Sequence, residues 1–230
     1  MTDNPQHIAI IPDGTRRWAR GRGLPEMEGA KAGTETAHRA VAYLLDRGIR
    51  YLTIWGFSTD NWKRPKEQVS FVFEQAQAWI ERDAPWLHSQ GVRLRHIGRT
   101  DQLPPTLQQA VTYWVELTRA NTGMTLIIAF DYSGRVEIID AIRRLIMTGA
   151  TPEMVNDDLF GHCLYTDGLP DVDLVIRTSG ELRLSNFMMW QTAYSEYYFT
   201  PTLWPDFDEL ELEQALESYR QRHRRFGGDK

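Results

Sequence analysis

The sequence predicts an α/β fold in which a mainly parallel, six-stranded sheet is surrounded by helices. Three observations lead to this prediction. Six short apolar runs of strand length alternate with longer stretches of helical spacing. Polar residues cluster directly after several of these runs, where the carboxyl ends of parallel strands meet. The 230 residues, 42% of them hydrophobic, contain no linker, so we expect a single domain over residues 1–230.

Composition limits the classes of function. A formal net charge of −5 argues against a nucleic-acid surface, so a phosphate site must be a local basic pocket. Cys163 is the only cysteine, which excludes an internal disulfide and a cysteine-based zinc site and fits a reducing, cytoplasmic location. No signal-peptide pattern and no run long enough to cross a bilayer is present. We therefore expect a soluble protein without a transmembrane segment, and peripheral membrane contact stays open.

The first strand is predicted over residues 7–12, and Asp13 and Gly14 follow it on a turn. Residues 15–20 include three arginines. A helix that begins there would add backbone N–H groups and a positive dipole to them. This combination suits a phosphate whose charge is shared by a metal on Asp13, although Asp-Gly alone indicates only a turn.

The second strand is predicted over residues 51–57, after a helix over residues 34–47 that Gly48 ends. Residues 58–65, which read Ser-Thr-Asp-Asn-Trp-Lys-Arg-Pro, form a second polar cluster at a strand end. By itself this cluster is more typical of a turn before a helix than of a site.

The elements that follow are predicted to be mainly scaffold. A long helix over residues 67–88 carries more large apolar residues than one core face needs, a pattern more often typical of core than of a ligand tunnel. Further helices are predicted over residues 104–119, 135–147, 151–162 and 208–222, and further strands over residues 92–98 and 124–131.

A buried strand over residues 174–176 leads into the strongest candidate site, with Arg177 at its carboxyl end. Gly180 permits a tight turn. Arg183 and Ser185 then alternate with leucines, so they would share one face of an extended segment.

Two guanidiniums and a hydroxyl suit a diphosphate, because arginine offers a fork of donors to phosphate oxygens and stays charged. Glu181 and Glu196 could hold a divalent metal beside it. Spacing alone leaves a solvated loop with ordinary surface arginines equally open.

The stretch from Arg177 to Phe199, followed by residues 203–207, resembles the signature of the cis-prenyltransferase family of undecaprenyl diphosphate synthase. The family opens with an apolar strand and Asp-Gly-Asn-Gly-Arg-Trp-Ala, and this chain matches with Asp13, Gly14, Arg17, Trp18 and Ala19. Its Phe-Ser-x-Glu-Asn-Trp-x-Arg-Pro is matched by residues 57–65, with Asp60 for Glu. The resemblance covers nearly the whole chain. It implies the family fold with a hydrophobic substrate cleft, and a magnesium-dependent enzyme that joins isoprenoid diphosphates.

The resemblance also implies roles for individual residues. Mg²⁺ would be held by Asp13 against the departing diphosphate, and Glu196 would anchor a second metal position. The loop that closes over the substrates implicates Ser58, Asn61 and Trp62 in catalysis. Substrate binding is expected from Gly14, Arg16, Arg17, Trp18 and Arg64, and binding of the isopentenyl diphosphate acceptor from Arg177, Arg183 and Ser185.

Two further expectations concern the product and the assembly. Large side chains in the family's cleft limit product length, so the aromatic residues Trp55, Phe71, Phe73 and Trp79 indicate a short product. The family's basic ending reaches across a homodimer to the partner's acceptor diphosphate, which here implicates Arg225 and Gly227.

The donor side departs from the family. Where the family supplies an Arg and a His for the allylic diphosphate, this chain has Glu26 and Ala30. A carboxylate there should repel a diphosphate. Arg16, Arg20 or Arg22 might compensate, or Glu26 might bind a metal or face solvent, and the sequence does not separate these possibilities.

The function predicted is magnesium-dependent condensation of an allylic diphosphate with isopentenyl diphosphate to a short-chain prenyl diphosphate. One alternative is lavandulyl-type irregular coupling of two allylic diphosphates, because such proteins share an Arg-Arg-Trp opening and lack the donor Arg and His. The other is a non-catalytic subunit that stabilises a partner prenyltransferase. Asp13 argues against this last reading, since a binding subunit needs no metal carboxylate.

Overall fold

Six parallel strands form one sheet in the computed structural model, which describes residues 4–222. Their order across the sheet is β3-β4-β2-β1-β5-β6, and each pair of neighbours is parallel. The strands are β1 His7–Ile11, β2 Tyr51–Ser58, β3 Arg93–Ile97, β4 Thr125–Tyr132, β5 Leu174–Arg177 and β6 Glu196–Phe199. The prediction of an α/β fold on a mainly parallel six-stranded sheet is confirmed.

Seven α-helices accompany these strands in the described part of the chain. They are α1 Thr15–Gly21, α2 Glu26–Asp46, α3 Lys66–Ser89, α4 Pro105–Leu117, α5 Gly134–Met147, α6 Asp157–Cys163 and α7 Glu209–Arg220. Within residues 4–222 none of the helices combines the length and the apolar character needed to cross a membrane.

The central strand β1 is buried along its whole length because it has a neighbouring strand on each side and packed side chains on both faces. Ile8 and Ile10 belong to the core on one face, together with residues of α2, α3 and α7. Ala9 and Ile11 belong to the core on the other face, which includes Phe187. This alternation is the two-residue period of a strand, and it makes the fully apolar run of β1 necessary.

The connections between strands reverse direction at β1. The chain places β2, β4 and β3 on one side of β1, and β5 and β6 on the other. In open parallel sheets, ligands bind outside the carboxyl ends of the strands where such a reversal occurs. A ligand site is therefore expected among the residues that follow β1 and β5.

Helix α2 begins at Glu26, not at residue 34 as predicted, and it runs through two glycines. A Cβ at Gly29 would lie 2.6 Å from the Thr15 carbonyl oxygen, and one at Gly33 would lie 3.1 Å from the Trp204 ring. These glycines allow close packing of α2 and do not end a helix.

Residues 151–162 do not form the single helix that was predicted. Pro152–Met154 is a 3₁₀ turn, and α6 begins only at Asp157. The Asn156 side chain caps α6 by accepting the Leu159 N–H over 2.9 Å. The cap fixes the start of the helix there because it satisfies a donor that has no partner within the helix.

Candidate active site

An ion pair between Asp13 and Arg177 lies at the carboxyl ends of β1 and β5, where the order of strand connections reverses. Asp13 follows β1 and Arg177 ends β5, so the parallel pairing of the two strands brings both to one edge. Arg177 Nη2 donates to Asp13 Oδ2 over 3.0 Å. The Arg177 side chain is 5% exposed and that of Asp13 is 37% exposed. The carboxylate is therefore the accessible member of the pair.

The backbone at Asp13 is fixed by the residues around it. The Thr178 hydroxyl donates to the Asp13 carbonyl oxygen over 2.8 Å, and the Gly14 N–H donates to Asp13 Oδ1 over 2.7 Å. Gly14 has a φ of 99°, and a Cβ there would lie 2.8 Å from the Leu203 side chain and 2.9 Å from Ser179 Cβ. Glycine is therefore required at this turn by both backbone conformation and space.

The segment after β5 is a turn, and the extended strand that its alternating sequence allows does not form. Ser185 and Asn186 have left-handed backbone conformations, with φ of 51° and 70°. Arg177 Nη1 donates to the Arg183 carbonyl oxygen and, over 2.8 Å, to Ser185 Oγ. Arg177, Arg183 and Ser185 thus come together, but a buried arginine that organises the turn joins them, and not one face of a strand.

Two exposed arginines flank this turn and share the carboxylate of Glu181. Glu181 pairs with Arg183 and lies 3.4 Å from Arg17 Nη2. Arg17 Nη2 also donates to Ser179 Oγ over 2.5 Å and lies 4.0 Å from Asp13 Oδ1. The side chains of Arg17 and Arg183 are 51% and 63% exposed. Because exposed ion pairs are weak, an anionic ligand can compete for both arginines.

The structure accounts for two of the three arginines that might compensate for Glu26. Arg20 pairs with Glu26 itself over 2.7 Å. Arg22 pairs with Asp206 over 3.0 Å, and its guanidinium lies 4.3 Å from the centroid of the Trp18 ring. Trp18 Nε1 donates to the same Asp206 over 2.7 Å. Both arginines are therefore occupied by neighbours.

Arg16 and Arg64 have no ion-pair partner among the residues that the structure describes. Burial lowers the pKa of Arg64, and the charge of Arg16 lowers it further, whereas Asp13 and Glu26 act in the opposite direction. Arg64 is thus within electrostatic reach of Arg16, Asp13 and Glu26. Two arginines without counter-ions form a place that favours an anion.

The loop over residues 58–64 is stabilised by its own side chains. Ser58 Oγ accepts the Asp60 N–H over 3.1 Å, and Asn61 Oδ1 accepts the Ser58 N–H over 3.1 Å. This reciprocal arrangement is a capping box for the 3₁₀ turn Thr59–Lys63. Ser58 is buried. The side chains of Ser58 and Asn61, predicted to be catalytic, are committed to the fold of the loop.

Asp131 is a site residue to which the sequence analysis gave no role. Trp62 Nε1 donates to Asp131 Oδ1 over 2.7 Å. Arg99 donates to both carboxylate oxygens, over 3.0 and 3.1 Å. The signal in the sequence was an acidic residue that closes the apolar run of β4, because a carboxylate in that position needs a partner.

The aromatic residues predicted to line one cleft lie in separate places. Trp55 packs on the face of the sheet that contains Phe187, with ring centroids 4.7 Å apart. Phe73 packs on the other face in the cluster of Phe57 and Phe130. Trp55 and Phe73 therefore do not share a cluster, because Trp55 lies on the face of the sheet that α3 does not cover. Phe71 is half-buried in α3.

Trp79 lines two spaces. One is a cavity of about 60 Å³ between α3, α4 and the sheet, lined by residues such as Leu107, Val111 and Ile128. The other is a groove of about 230 Å³ between α2 and α3, lined also by Lys31 and Glu35. Trp79 Nε1 is buried without a hydrogen-bond partner in the described structure.

A metal site fits Asp13 better than Glu196. Mg²⁺ is usually bound by one or two carboxylates, with substrate phosphates and water as the other ligands, and the accessible carboxylate of Asp13 suits that role. Glu196 begins β6 opposite Leu174, which in turn pairs with Ile8 at the start of β1. It also pairs with Arg222 over 2.7 Å. Glu196 thus lies near the amino ends of the strands, whereas Asp13 lies beyond their carboxyl ends.

Other predicted residues stay untested by this geometry. Within residues 4–222 no three His, Cys, Asp or Glu side chains form a group that could hold a metal on their own. Arg225 and Gly227, predicted to act at a dimer contact, lie outside the described residues.

Comparison with known proteins gives a consistent result. Residues 11–227 match the family model described as "Putative undecaprenyl diphosphate synthase". An isoprenyl transferase of Thermotoga maritima is 46% identical over 226 residues, which are 97% of each chain. An isoprenyl transferase of Heliobacterium mobile is 44% identical over 230 residues, which are 98% of this chain and 88% of that protein.

Two solved structures are similar over almost their full length. Lavandulyl diphosphate synthase from Lavandula x intermedia, in complex with dimethylallyl diphosphate, superposes with a TM-score of 0.95 at 39% identity, covering 98% of this chain and 99% of that one. A probable undecaprenyl diphosphate synthase from Campylobacter jejuni superposes with a TM-score of 0.82 at 30% identity, covering 97% and 98%.

Proposed function

The chain belongs to the undecaprenyl diphosphate synthase family and is a prenyltransferase, and from this premise we propose the reaction that it catalyses. The reaction is the condensation of an allylic diphosphate donor with isopentenyl diphosphate, in the cis sense of the family, to a short-chain prenyl diphosphate. The observation that supports it most is the accessible Asp13 carboxylate, placed at the reversal of the sheet among arginines of α1 and of the turn after β5.

The acceptor diphosphate is bound by Arg183 and Ser185, with Arg177 behind them. Arg183 is exposed and has only a surface carboxylate as its partner, so it can turn to a phosphate oxygen. Arg177 is buried and already bonds to Asp13 and Ser185. Its contribution is positive charge and the correct placement of the other two groups.

The donor diphosphate is bound by Arg16 and Arg64 in place of the family's Arg and His. Neither arginine has an ion-pair partner within residues 4–222, while Arg20 is already paired with Glu26. Binding of a diphosphate between them would relieve the repulsion that lowers the pKa of Arg64. Of the three arginines that the sequence left open, this proposal takes Arg16, because Arg20 and Arg22 are paired with Glu26 and Asp206.

Asp13 is the residue that would hold Mg²⁺, and the proposed metal site does not include Glu196. When bound there, the ion supplies neutralising charge to the leaving diphosphate. Asp13 is kept in place for this role by Thr178 on its backbone and by Gly14 and Arg177 on its carboxylate. The loop that carries Trp62 limits access of water to the electron-poor allylic carbon.

A short product is proposed because the spaces along α3 are small. The cavity that Trp79 lines measures about 60 Å³, and Trp79 also lines the groove between α2 and α3. An elongating hydrocarbon tail that follows α3 would meet this ring, and Phe73 with its aromatic neighbours narrows the space further.

Irregular coupling of two allylic diphosphates is the second candidate function. Two observations favour it: the high similarity to lavandulyl diphosphate synthase, and the unpaired arginine at position 16 together with Glu26 and Ala30. Regular elongation is favoured by the curated relatives, which are 44–46% identical and named isoprenyl transferase. It is also favoured by the ordinary family pattern of residues 58–65 and of the stretch from Arg177 to Glu196.

Product analysis separates the two candidates. The protein is incubated with dimethylallyl, geranyl or farnesyl diphosphate, each with and without isopentenyl diphosphate, and the alcohols obtained after dephosphorylation are identified. Regular elongation requires isopentenyl diphosphate and gives a linear chain with new cis double bonds. A branched product without isopentenyl diphosphate would instead identify irregular coupling, and long polyprenyl products would contradict the short chain.

A homodimer is also part of the proposal. Helix α5 exposes three isoleucines at helical spacing, namely Ile139, Ile142 and Ile146, of which the last is 70% exposed. Such a stripe suits burial against an equivalent surface of a second copy. Sedimentation of the wild type and of Ile142→Glu tests this proposal, and a monomeric wild type would contradict it.

A further inference from the structure

Asp131 is a fully buried carboxylate at the carboxyl end of β4. Both of its oxygens are hydrogen-bonded. Oδ1 accepts from Trp62 Nε1 and from Arg99 Nη2, and Oδ2 accepts from Arg99 Nε. A buried carboxylate is stable only with such partners, so the sequence has matched Asp131 with Arg99.

The backbone at this point is rigid. Asp131 has a φ of 49°, a left-handed conformation that aspartate and asparagine tolerate better than most residues. The Arg99 N–H donates to the Asp131 carbonyl oxygen over 3.2 Å. A Cβ at Gly98 would lie 2.2 Å from the Phe130 carbonyl oxygen, so the chain before Arg99 must pass directly against β4. The carboxylate is therefore held by the sheet and is not free to follow the loop.

Side chains join the loop over residues 58–64 to the end of β4 and to the residue that precedes α5. The first contact is the hydrogen bond of Trp62 to Asp131, and the second joins the hydroxyls of Thr59 and Ser133 over 2.6 Å. The Trp62 ring packs edge-on against Phe57. The bonds of Ser58 and Asn61 join the start of the loop to the end of β2, whereas the bond of Trp62 joins its middle to β4.

The other end of the loop reaches the proposed donor site. Arg64 follows Trp62 by two residues, and its N–H donates to the Asn61 carbonyl oxygen over 3.0 Å, so both residues belong to the same turn. Burial lowers the pKa of Arg64 and the charge of Arg16 lowers it further, which agrees with a position near Arg16.

We propose that Asp131, with its charge balanced by Arg99, is a positioning residue that holds Trp62 and thereby places Arg64 for binding of the diphosphate. The inference rests on the proposed function of Arg64 in donor binding. Asp131 does not touch the substrate in this scheme, and its effect on the reaction is carried entirely by the loop.

Two variants test the tie from its two ends. Asp131→Asn preserves a residue suited to the left-handed backbone, but its amide must direct a donor toward either Trp62 or Arg99. Trp62→Phe keeps the aromatic packing and removes only the N–H group. We expect each to lower kcat/KM for the allylic donor about tenfold, and the double variant to be no worse than Asp131→Asn alone.

A readout independent of turnover is tryptic cleavage after Lys63, which lies inside the loop. Both variants should be cleaved faster there than the wild type, because the tie no longer holds the loop on β4. Asp83→Asn is the matched control. Asp83 is also a buried carboxylate that pairs with an arginine, Arg82, but it contacts no residue of the loop. This control should lose stability without faster cleavage after Lys63.

Wild-type kcat/KM and unchanged cleavage in Asp131→Asn would overturn the proposal, and so would losses that simply add in the double variant. If the wild type fails to turn over any isoprenoid diphosphate, the proposed function is wrong. In that case the cleavage assay still decides whether Asp131 holds the loop.

Discussion

Asp13 and Arg177 are 164 positions apart in the sequence, yet Arg177 Nη2 donates to Asp13 Oδ2 over 3.0 Å. The pair exists because β1 and β5 are neighbours in a parallel sheet, so that their carboxyl ends coincide. It joins the proposed metal carboxylate to the turn proposed to bind the acceptor diphosphate.

Replacement of Asp13 by Asn should lower turnover at least about a hundredfold, because the change removes the negative charge that would hold the metal on the leaving group. EDTA should have the same effect on the wild type. Steady-state assays and circular dichroism measure activity and fold together. Glu213→Gln is the control. Glu213 lies on α7 and pairs with Arg47 and Arg220, so its replacement should leave activity intact. Full activity of the Asn variant would exclude the proposed role of Asp13.

The two arginines on the acceptor side should respond differently to substitution. Arg183→Ala should raise the KM for isopentenyl diphosphate about tenfold to a hundredfold, since a hydrogen bond to a charged group contributes about 1.5–3 kcal/mol. Thermal stability should hardly change, because its side chain is 63% exposed. Arg177→Ala should lower both activity and stability, because a buried guanidinium that organises Asp13 and Ser185 is lost. Equal melting temperatures for the two variants would contradict this distinction.

On the donor side, Arg16→Ala should raise the KM for the allylic diphosphate about tenfold and leave the KM for isopentenyl diphosphate unchanged. Arg20→Ala provides the comparison within the same short helix, because Arg20 is already neutralised by Glu26. Its effect should be much smaller. A larger effect of Arg20 than of Arg16 would place the donor diphosphate elsewhere.

Product length should depend on Trp79 and not on Trp55. Trp79→Leu removes a ring that lines both the cavity and the groove between α2 and α3, so longer products are expected. Trp55→Leu removes a ring of the same size from the opposite face of the sheet and should destabilise the protein without lengthening the product. Chromatography of the dephosphorylated products compares the two. An unchanged product distribution in Trp79→Leu would remove this ring from the path of the chain.

The pH dependence of stability should report on the buried Glu137. Burial raises the pKa of its carboxyl above the ordinary value of 4.5, although hydrogen bonds from Tyr132 and Gln191 partly offset this effect. The folded state therefore binds this proton more tightly than the unfolded state. The stabilising contribution is fully present below pH 4.5 and is lost as the pH rises through the raised pKa.

Glu137→Gln should consequently melt at a higher temperature than the wild type near neutral pH, and the difference should shrink on acidification. The Gln191 amide can accept a hydrogen bond from the new side chain, because its Oε1 has no partner in the described structure. Melting curves of both proteins across the acidic range measure the effect. A difference that grows toward low pH would contradict the assigned direction.

Much of the fold could be predicted from the sequence because its signals are local. The apolar run of β1 indicates a strand covered on both faces, and Asp13 and Gly14 after it indicate a turn. The resemblance to the family signature predicted the family that the comparisons show. Each of these signals spans only a few neighbouring residues.

The donor side and the cleft were decided by tertiary structure. Arg16, Arg20 and Arg22 look alike in sequence, and only their packing shows that Glu26 pairs with Arg20 and Asp206 with Arg22. The separation of Trp55 from Phe73 depends on which face of the sheet α3 covers. The register of β1, β5 and β6 keeps Glu196 away from Asp13.

By itself, then, the sequence determined most of the elements of this protein, the strand ends that carry its polar groups and the family to which it belongs. Only the tertiary structure decided which charges are already paired, which side chains share a space, and that Trp62 donates a hydrogen bond to Asp131. The physical reason is the separation along the chain over which each interaction acts. Periodicity and turn chemistry act between residues close in sequence, whereas ion pairs and packing join residues that only the folded sheet brings within a few ångströms.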